Sequence, residues 1–151
     1  VCELESSLVL FYTGVSRESA KIISDQSTNV STGNQDAINA MHGIKQEALT
    51  MKECLLKGDF SGIIDSMHLG WENKKRSSSS VSSSHIERIY SSAIEAGAHA
   101  GKVSGAGGGG FMMFISPPEK RMDVIRTLAQ YQGEIRNCHF TRHGAQAWRI
   151  G

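Results

Sequence analysis

Residues 102–115 read Lys102-Val103-Ser104-Gly105-Ala106-Gly107-Gly108-Gly109-Gly110-Phe111-Met112-Met113-Phe114-Ile115. The last five form a short, apolar, aromatic-rich run, which predicts a buried strand. Before it stand five glycines in six positions, 105–110. Glycine accepts positive φ and has no Cβ, so such a run lets the backbone approach another surface closely and present N–H groups in a concave nest. It is costly in chain entropy, about 1 kcal/mol per glycine by comparison with alanine in a helix. Two readings stay open. One is a loop packed against a phosphate site or a second glycine-rich loop. The other is a sharp bend that needs only close packing. The letters also match G-x-G-x-x-G, but a dinucleotide fingerprint needs a strand before the loop and a helix after it, and here a helix is expected before and a strand after. No Gly-Lys-Ser/Thr follows, as a nucleotide-triphosphatase phosphate loop requires, and no His-Arg-Asp lies downstream, as a protein kinase requires.

Upstream of the loop, Ile86, Ile89, Tyr90, Ala93 and Gly97 make the buried stripe of a helix. Ser84 followed by Glu87 reads as its capping box. Residues 77–84 are seven serines and one valine, too polar to order themselves by burial, so a linker is expected. Further upstream, Ile38, Met41, Ile44, Ala48, Met51 and Leu55 recur at steps of three and four, which predicts a helix Gln35–Lys57 with these on its core face. Gly58 ends it, and Asp59 caps a second helix carrying Phe60, Ile63, Ile64, Met67 and Trp71. So short a junction predicts an antiparallel hairpin. Residues 16–34 are polar, with a short helix near 18–25 and a loop ending at Gly33-Asn34. Leu8-Val9-Leu10-Phe11-Tyr12, stopped by Gly14, reads as a strand. Downstream, Pro117-Pro118-Glu119 opens a helix with Met122, Ile125, Leu128 and Ala129 on its core face, ended by Gly133. Residues 134–142 and 145–150 read as two strands turning at His143-Gly144. The order is strand, three helices, strand, helix, two strands: an α+β sandwich that can be drawn as a ferredoxin-like split β-α-β unit with an inserted helical hairpin.

With 151 residues, one domain is expected over 1–151. Hydrophobic residues at 39% and charged residues at 21% are ordinary for a globular protein, and a net charge of +1 offers no basic field for nucleic acid. No apolar run is long enough to cross a bilayer, and residues 1–5 carry two acids and no basic leader. Cys2, Cys54 and Cys138 form no CxxC pair, which suits a reduced, cytoplasmic protein. A core strand so close to a non-Met start leads us to expect a piece of a longer chain.

Other chemistry-bearing residues favour bland readings. His139 and His143 are four apart in a predicted strand and turn, too far for one metal. Asp65-x-x-His68 suits a local pair on a helix. Lys74-Lys75-Arg76 suits a solvated helix end against the helix dipole, although a phosphate contact is the alternative. Trp71 and Trp148 are expected in the core.

Residues 102–111 resemble the third signature motif of the galactokinase, homoserine kinase, mevalonate kinase and phosphomevalonate kinase (GHMP) family. The stretches Leu4-Glu5-Ser6, Leu10-Phe11-Tyr12-Thr13-Gly14-Val15-Ser16-Arg17, Trp71-Glu72-Asn73-Lys74-Lys75, Ile94-Glu95-Ala96-Gly97-Ala98 and Pro117-Pro118-Glu119-Lys120-Arg121 are similar to the branch that phosphorylates D-glycero-D-manno-heptose 7-phosphate at its anomeric hydroxyl. The resemblance implies a GHMP kinase C-terminal domain whose partner is an N-terminal ATP-binding domain of the same protein. It implies ATP and Mg²⁺ as cofactors, a sugar phosphate as substrate and an active site in the cleft between domains. The third motif would pack beside the main phosphate loop. That cofactor-binding role falls on Ser104, Gly105, Ala106, Gly107, Gly108, Gly109 and Gly110. The main phosphate loop, Pro-x-x-x-Gly-Leu-(Gly/Ser)-Ser-Ser, has no counterpart here, so no catalytic residue and no metal ligand is assigned to this chain. Where such kinases carry Leu-Ser and Ile-Ser-Asn-Pro, this chain has the serine run 77–84, which bears on specificity. Another small-alcohol kinase of the family and a non-catalytic α+β binding or regulatory domain are the alternatives.

Overall fold

Alternation in Leu8–Tyr12 buries Val9 and Phe11 on one face, and this strand, β1, organises the sheet. In the computed structural model, which describes residues 2–15 and 19–149, β1 pairs antiparallel with β3 (Phe111–Ile115) on one side and β4 (Glu134–Arg136) on the other. Strand β2 (Ala100–Val103) pairs antiparallel with the far side of β3, so the order is β2-β3-β1-β4. That order, read with the two crossovers, is the ferredoxin-like arrangement expected from the sequence. The register sets Val9 opposite Phe114, and both Phe11 and Val103 opposite Met112, which collects the largest strand side chains on one face.

Helix α5 (Ser84–Glu95) and helix α6 (Pro118–Leu128) bring Ile86, Ile89, Tyr90, Ala93, Val124 and Leu128 onto that face, all buried. Each of the buried Ile, Val and Leu side chains contributes about 1.5–3 kcal/mol relative to exposure. The hairpin α3 (Gln35–Lys57) and α4 (Phe60–Ser77) runs alongside β2. Its junction is capped as expected: the Gly58 N–H returns to the Cys54 carbonyl, and the Asp59 carboxylate accepts from the Gly62 N–H at 3.0 Å. From α4, Trp71 joins the main core, while Ile63 and Met67 form a second one with Cys54, Ala100 and Ile115.

Several expectations need correction. A strand, not a helix, leads into the glycine loop. Ala100-Gly101-Lys102-Val103 has little strand propensity and is held extended by pairing with β3. The loop is therefore the tip of a β2–β3 hairpin, and the dinucleotide fingerprint still fails because no helix follows it. Residues 2–7 form a short helix, α1 (Cys2–Ser7), too short to show a period. Helix α2 runs Ser19–Ser31, longer than the short helix expected near 18–25, whose residue 18 lies outside the described residues. It buries only Ile22 and is held by polar contacts, so no apolar stripe announced it. The cap of α5 is Ser83, one residue earlier than expected, accepting from the Ile86 N–H at 3.3 Å.

The expected face of α3 is half wrong. Ala37, Ala40 and Cys54 are buried, whereas Met41, Ala48 and Leu55 are exposed. On α6 the buried residues are Val124 and Leu128, not Met122 or Ala129. The C-terminal hairpin is absent among the described residues. After Arg136, residues 137–149 carry no strand, and Ile150 lies outside the described set. The Phe140 N–H goes to the Glu5 carboxylate at 2.9 Å, with His139 Nδ1 at 2.7 Å from the same side chain, instead of extending the ladder. These two contacts hold the Glu5 carboxyl below the usual carboxylate range. Trp148, expected in the core, is 78% exposed.

The serine run is ordered. Ser77 closes α4, Ser78 caps a single 3₁₀ turn (Ser79–Val81), and Val81 is fully buried. Gln26 Nε2 donates to Ser77 Oγ at 2.8 Å, Asn29 Nδ2 donates to the Ser77 carbonyl at 3.0 Å, and Ser80 Oγ donates to the Asp25 carboxylate. One valine and hydrogen bonds from α2 do what burial of the serines could not.

Candidate functional site

Every glycine of the loop has positive φ: 76° at Gly105, 125° at Gly107, 73° at Gly108, 149° at Gly109 and 80° at Gly110. Two carbonyls of this chain clamp the loop. The Gly108 N–H donates to the Val81 carbonyl at 2.7 Å, and the Gly110 N–H to the Val15 carbonyl at 2.7 Å. The Thr13 N–H donates back to the Gly110 carbonyl at 2.9 Å. A Cβ on Gly107 would stand 2.7 Å from the Val81 oxygen, and one on Gly109 would stand 2.5 Å from the Val15 oxygen. The close approach foreseen from the glycine count is thus made to the chain's own backbone at these two positions. Two of the N–H groups are spent there. Among the described residues, those of Gly105, Ala106, Gly107 and Gly109 make no hydrogen bond.

Gly105 and Ala106 form a ridge between two depressions. On one side lies a shallow pocket of about 220 Å³ bounded by Ser19, Ser104, Gly107 and Gly109. On the other lies a groove of about 610 Å³. Met41, Ile44, Ala48 and Met51 of α3 wall the groove, which is why that stripe is not in the core. Lys74 and Lys102 stand at its end beside the ridge, with Glu47 and Ser66 farther along. Ser66 Oγ is bound to the Glu47 carbonyl at 2.9 Å.

The basic run divides by role. Lys75 pairs with Glu72 at 2.8 Å and Glu87 at 3.7 Å, and its ammonium lies 5.8 Å from the ring centroids of Trp71 and Tyr90. Arg76 is exposed. Lys74 is half-buried, and its Nζ donates to the Gly105 carbonyl. Burial, and secondarily the charge of Lys102, lowers its pKa to about 8. His68 Nδ1 bonds the Tyr90 hydroxyl at 3.2 Å, and burial, reinforced by Glu72 and Glu87, pushes that phenol up to about 12. Lys74 as a groove residue, Lys102, and the Val15 and Val81 carbonyls were not singled out from sequence. The one available signal was strand alternation, which sets Lys102 opposite in face to buried Val103.

A folded pKa near 8 against an ordinary 10.5 has a definite sign. Between these values the unfolded chain holds more protons at Lys74 than the folded one, so stability rises with pH across the window. Below pH 8 the buried charge is a full penalty. We expect Lys74→Met to melt higher than the wild type at pH 7 and the difference to close by pH 10.5. A Lys74→Met protein that melts lower at pH 7 would show that the bond to Gly105 outweighs the desolvation.

For the expected cofactors the fit is partial. The loop N–H groups that make no hydrogen bond among the described residues suit anionic oxygens. Among the described residues, no group of three or more His, Cys, Asp or Glu side chains could hold a metal ion. No helix described is long and apolar enough to cross a membrane.

The family model for the C-terminal part of GHMP kinases matches residues 51–133, from the last two turns of α3 past the glycine loop and α6 to Gly133, just before β4. The chain is 40% identical over 148 residues, 98% of its length, to D-glycero-alpha-D-manno-heptose 7-phosphate kinase of Campylobacter jejuni subsp. jejuni serotype O:2, and covers 43% of that relative. It is 39% identical to a Campylobacter jejuni protein of known structure assigned to the sugar kinases, at a TM-score of 0.67, covering 99% of this chain and 40% of that one. The fold also matches L. major mevalonate kinase in complex with R-mevalonate at a TM-score of 0.73 and 22% identity, over 82% of this chain and 37% of that enzyme. The chain spans less than half the length of each of these proteins. With its glycine hairpin, its sheet order and more than half of its residues under the family model, this chain belongs to the GHMP kinase C-terminal family.

Proposed function

We propose that this chain is the C-terminal domain of an ATP-dependent sugar kinase that phosphorylates the anomeric hydroxyl of D-glycero-D-manno-heptose 7-phosphate, its nucleotide held mainly by an N-terminal domain of the same protein. The observation that carries the reading is the clamped glycine ridge with a depression on each side, in a chain 40% identical along nearly its whole length to a heptose 7-phosphate kinase. When bound, Mg²⁺-ATP supplies the transferable phosphoryl group. Phosphoryl transfer asks the protein chiefly for positioning and for stabilising charge. Ser104, Gly105, Ala106, Gly107, Gly108, Gly109 and Gly110 carry the positioning. The clamp on Val81 and Val15 fixes the ridge. Among the described residues the N–H groups of Gly105, Ala106, Gly107 and Gly109 make no hydrogen bond and are the donors left for phosphate oxygens, fewer than the six that the sequence offers. No residue of the ridge transfers a proton. The soluble, cytoplasmic setting expected from the cysteines belongs to this proposal.

The test is ADP release by the complete protein containing this domain, with heptose 7-phosphate, unphosphorylated heptose and mevalonate compared. Turnover with the heptose phosphate at least a hundredfold above mevalonate in kcat/KM is expected. Turnover confined to a different alcohol would move the protein to another branch of the family. No ADP release with any acceptor would leave a non-catalytic binding domain.

A further inference from the structure

We propose that Lys74 and Lys102 form a phosphate-binding site in the large groove beside Gly105, and that it holds the phosphate of a monophosphorylated polyol whose carbon chain lies along α3. The proposal deepens the kinase reading above by assigning this chain the recognition of the acceptor's own phosphate. Two lysines on different elements, α4 and β2, line one cavity, close enough that the charge of Lys102 acts on Lys74. Among the described residues, neither is in an ion pair, whereas neighbouring Lys75 has two carboxylates. Like charges brought together and partly buried oppose folding, and a dianion bridging them removes that opposition. The charged groups facing this space are Lys74, Lys102 and, from α3, Glu47. Glu47 lies on the wall away from the ridge, where a carboxylate suits sugar hydroxyls and repels a second phosphate. Met41, Ile44 and Met51 offer apolar surface to the C–H faces of a sugar. Two cations, one carboxylate and an apolar lining together fit an extended sugar phosphate. The lowered pKa of Lys74 has the same geometric origin, and a bound phosphate would raise it again.

The experiment compares wild type with Lys74→Met, Lys102→Met and Lys74→Arg in the complete protein, with melting curves as the control for folding. Inorganic phosphate should raise the melting temperature of the wild type, and both Met variants should abolish that shift. In the kinase assay, both Met variants should raise KM for heptose 7-phosphate at least tenfold, leave KM for unphosphorylated heptose and for ATP within twofold, and Lys74→Arg should recover most of the loss. Phosphate stabilisation of the wild type should also decline as pH rises above about 8. A rise in KM for ATP alone would overturn the proposal by assigning the lysines to the nucleotide. An unchanged phosphate shift in both Met variants would overturn it outright. If no acceptor is phosphorylated, the kinase reading has failed, and the inorganic phosphate shifts still decide whether the lysine site exists.

Discussion

Gly107→Ala should lower stability by about 3 kcal/mol, from backbone strain and overpacking together. At φ 125° the backbone lies where L side chains rarely sit, and the new Cβ would meet the Val81 oxygen at 2.7 Å and the Val81 Cα at 3.0 Å. Neither obstacle is a flexible side-chain end. Val81 is held by its own burial, by the Ser80 N–H bond to Ser78 Oγ inside the 3₁₀ turn, and by the Ser77 and Ser80 contacts that tie this stretch to α2 and α4. Gly105→Ala supplies the contrast. Its φ of 76° lies in the left-handed region, but nothing stands within 4 Å of its Cβ, so only the conformational penalty of about 1–2 kcal/mol applies. Urea denaturation of the two variants measures the difference directly. Equal costs would mean that the glycines are needed for φ alone and that the Val81 clamp does not matter. A larger cost at Gly107 would make the serine run part of the ridge's support, with consequences for any phosphate group placed against it.

The contrast bears on what the sequence could convey. Elements with a sustained apolar pattern were legible: β1, α4 and α5 hold in or against the core the side chains that their patterns assigned to it, and β3 does so except for Phe111, which is exposed. The full sheet order did not follow from them, because β2 was not read as a strand and the stretch after Arg136 was. Where support comes from elsewhere in the fold, the pattern was silent or misleading. β2 is extended because β3 is beside it, and α2 is anchored by amides to Ser77 and not by apolar residues. The stripe on α3 was real, but its middle faces a groove, and periodicity reports amphipathicity without saying what covers the apolar face. The glycine loop was the clearest signal of the site. Its partners were not, because a carbonyl that accepts from a loop N–H leaves no mark on residue type; any residue could stand at 81 or 15 and offer the same oxygen. Lys74 was hidden for a related reason. Three consecutive basic residues point in different directions around a helix, and only packing decides which one meets the groove.

Trp71→Ala should cost about 3–5 kcal/mol, the range for removing a large aromatic side chain from a core. The indole is fully buried between α4 and the sheet side of the core, its ring 6.3 Å from Tyr90, which in turn lies 6.3 Å from Phe114. Removing it opens a cavity where the hairpin joins the main core, and it takes away one of the two rings beneath the Lys75 ammonium, a contact of about 0.5–1 kcal/mol. Trp71→Phe should cost much less than the lost area suggests. The indole Nε1 is buried with no hydrogen-bond partner among the described residues, so phenylalanine discards a polar group whose unsatisfied burial costs about 1–3 kcal/mol. The two variants therefore separate packing from polarity: a large loss for alanine with a small one for phenylalanine, at an unchanged denaturant slope, is expected in urea. Equal losses would mean that the indole nitrogen finds water and that the cost lies in its hydrogen bond. Function should follow the same division, because Lys74 stands one turn after Trp71 on α4 and reaches the Gly105 carbonyl only if that turn is pinned. Trp71→Phe should keep the phosphate-dependent rise in melting temperature, and Trp71→Ala should lose it even where enough folded protein remains to measure it.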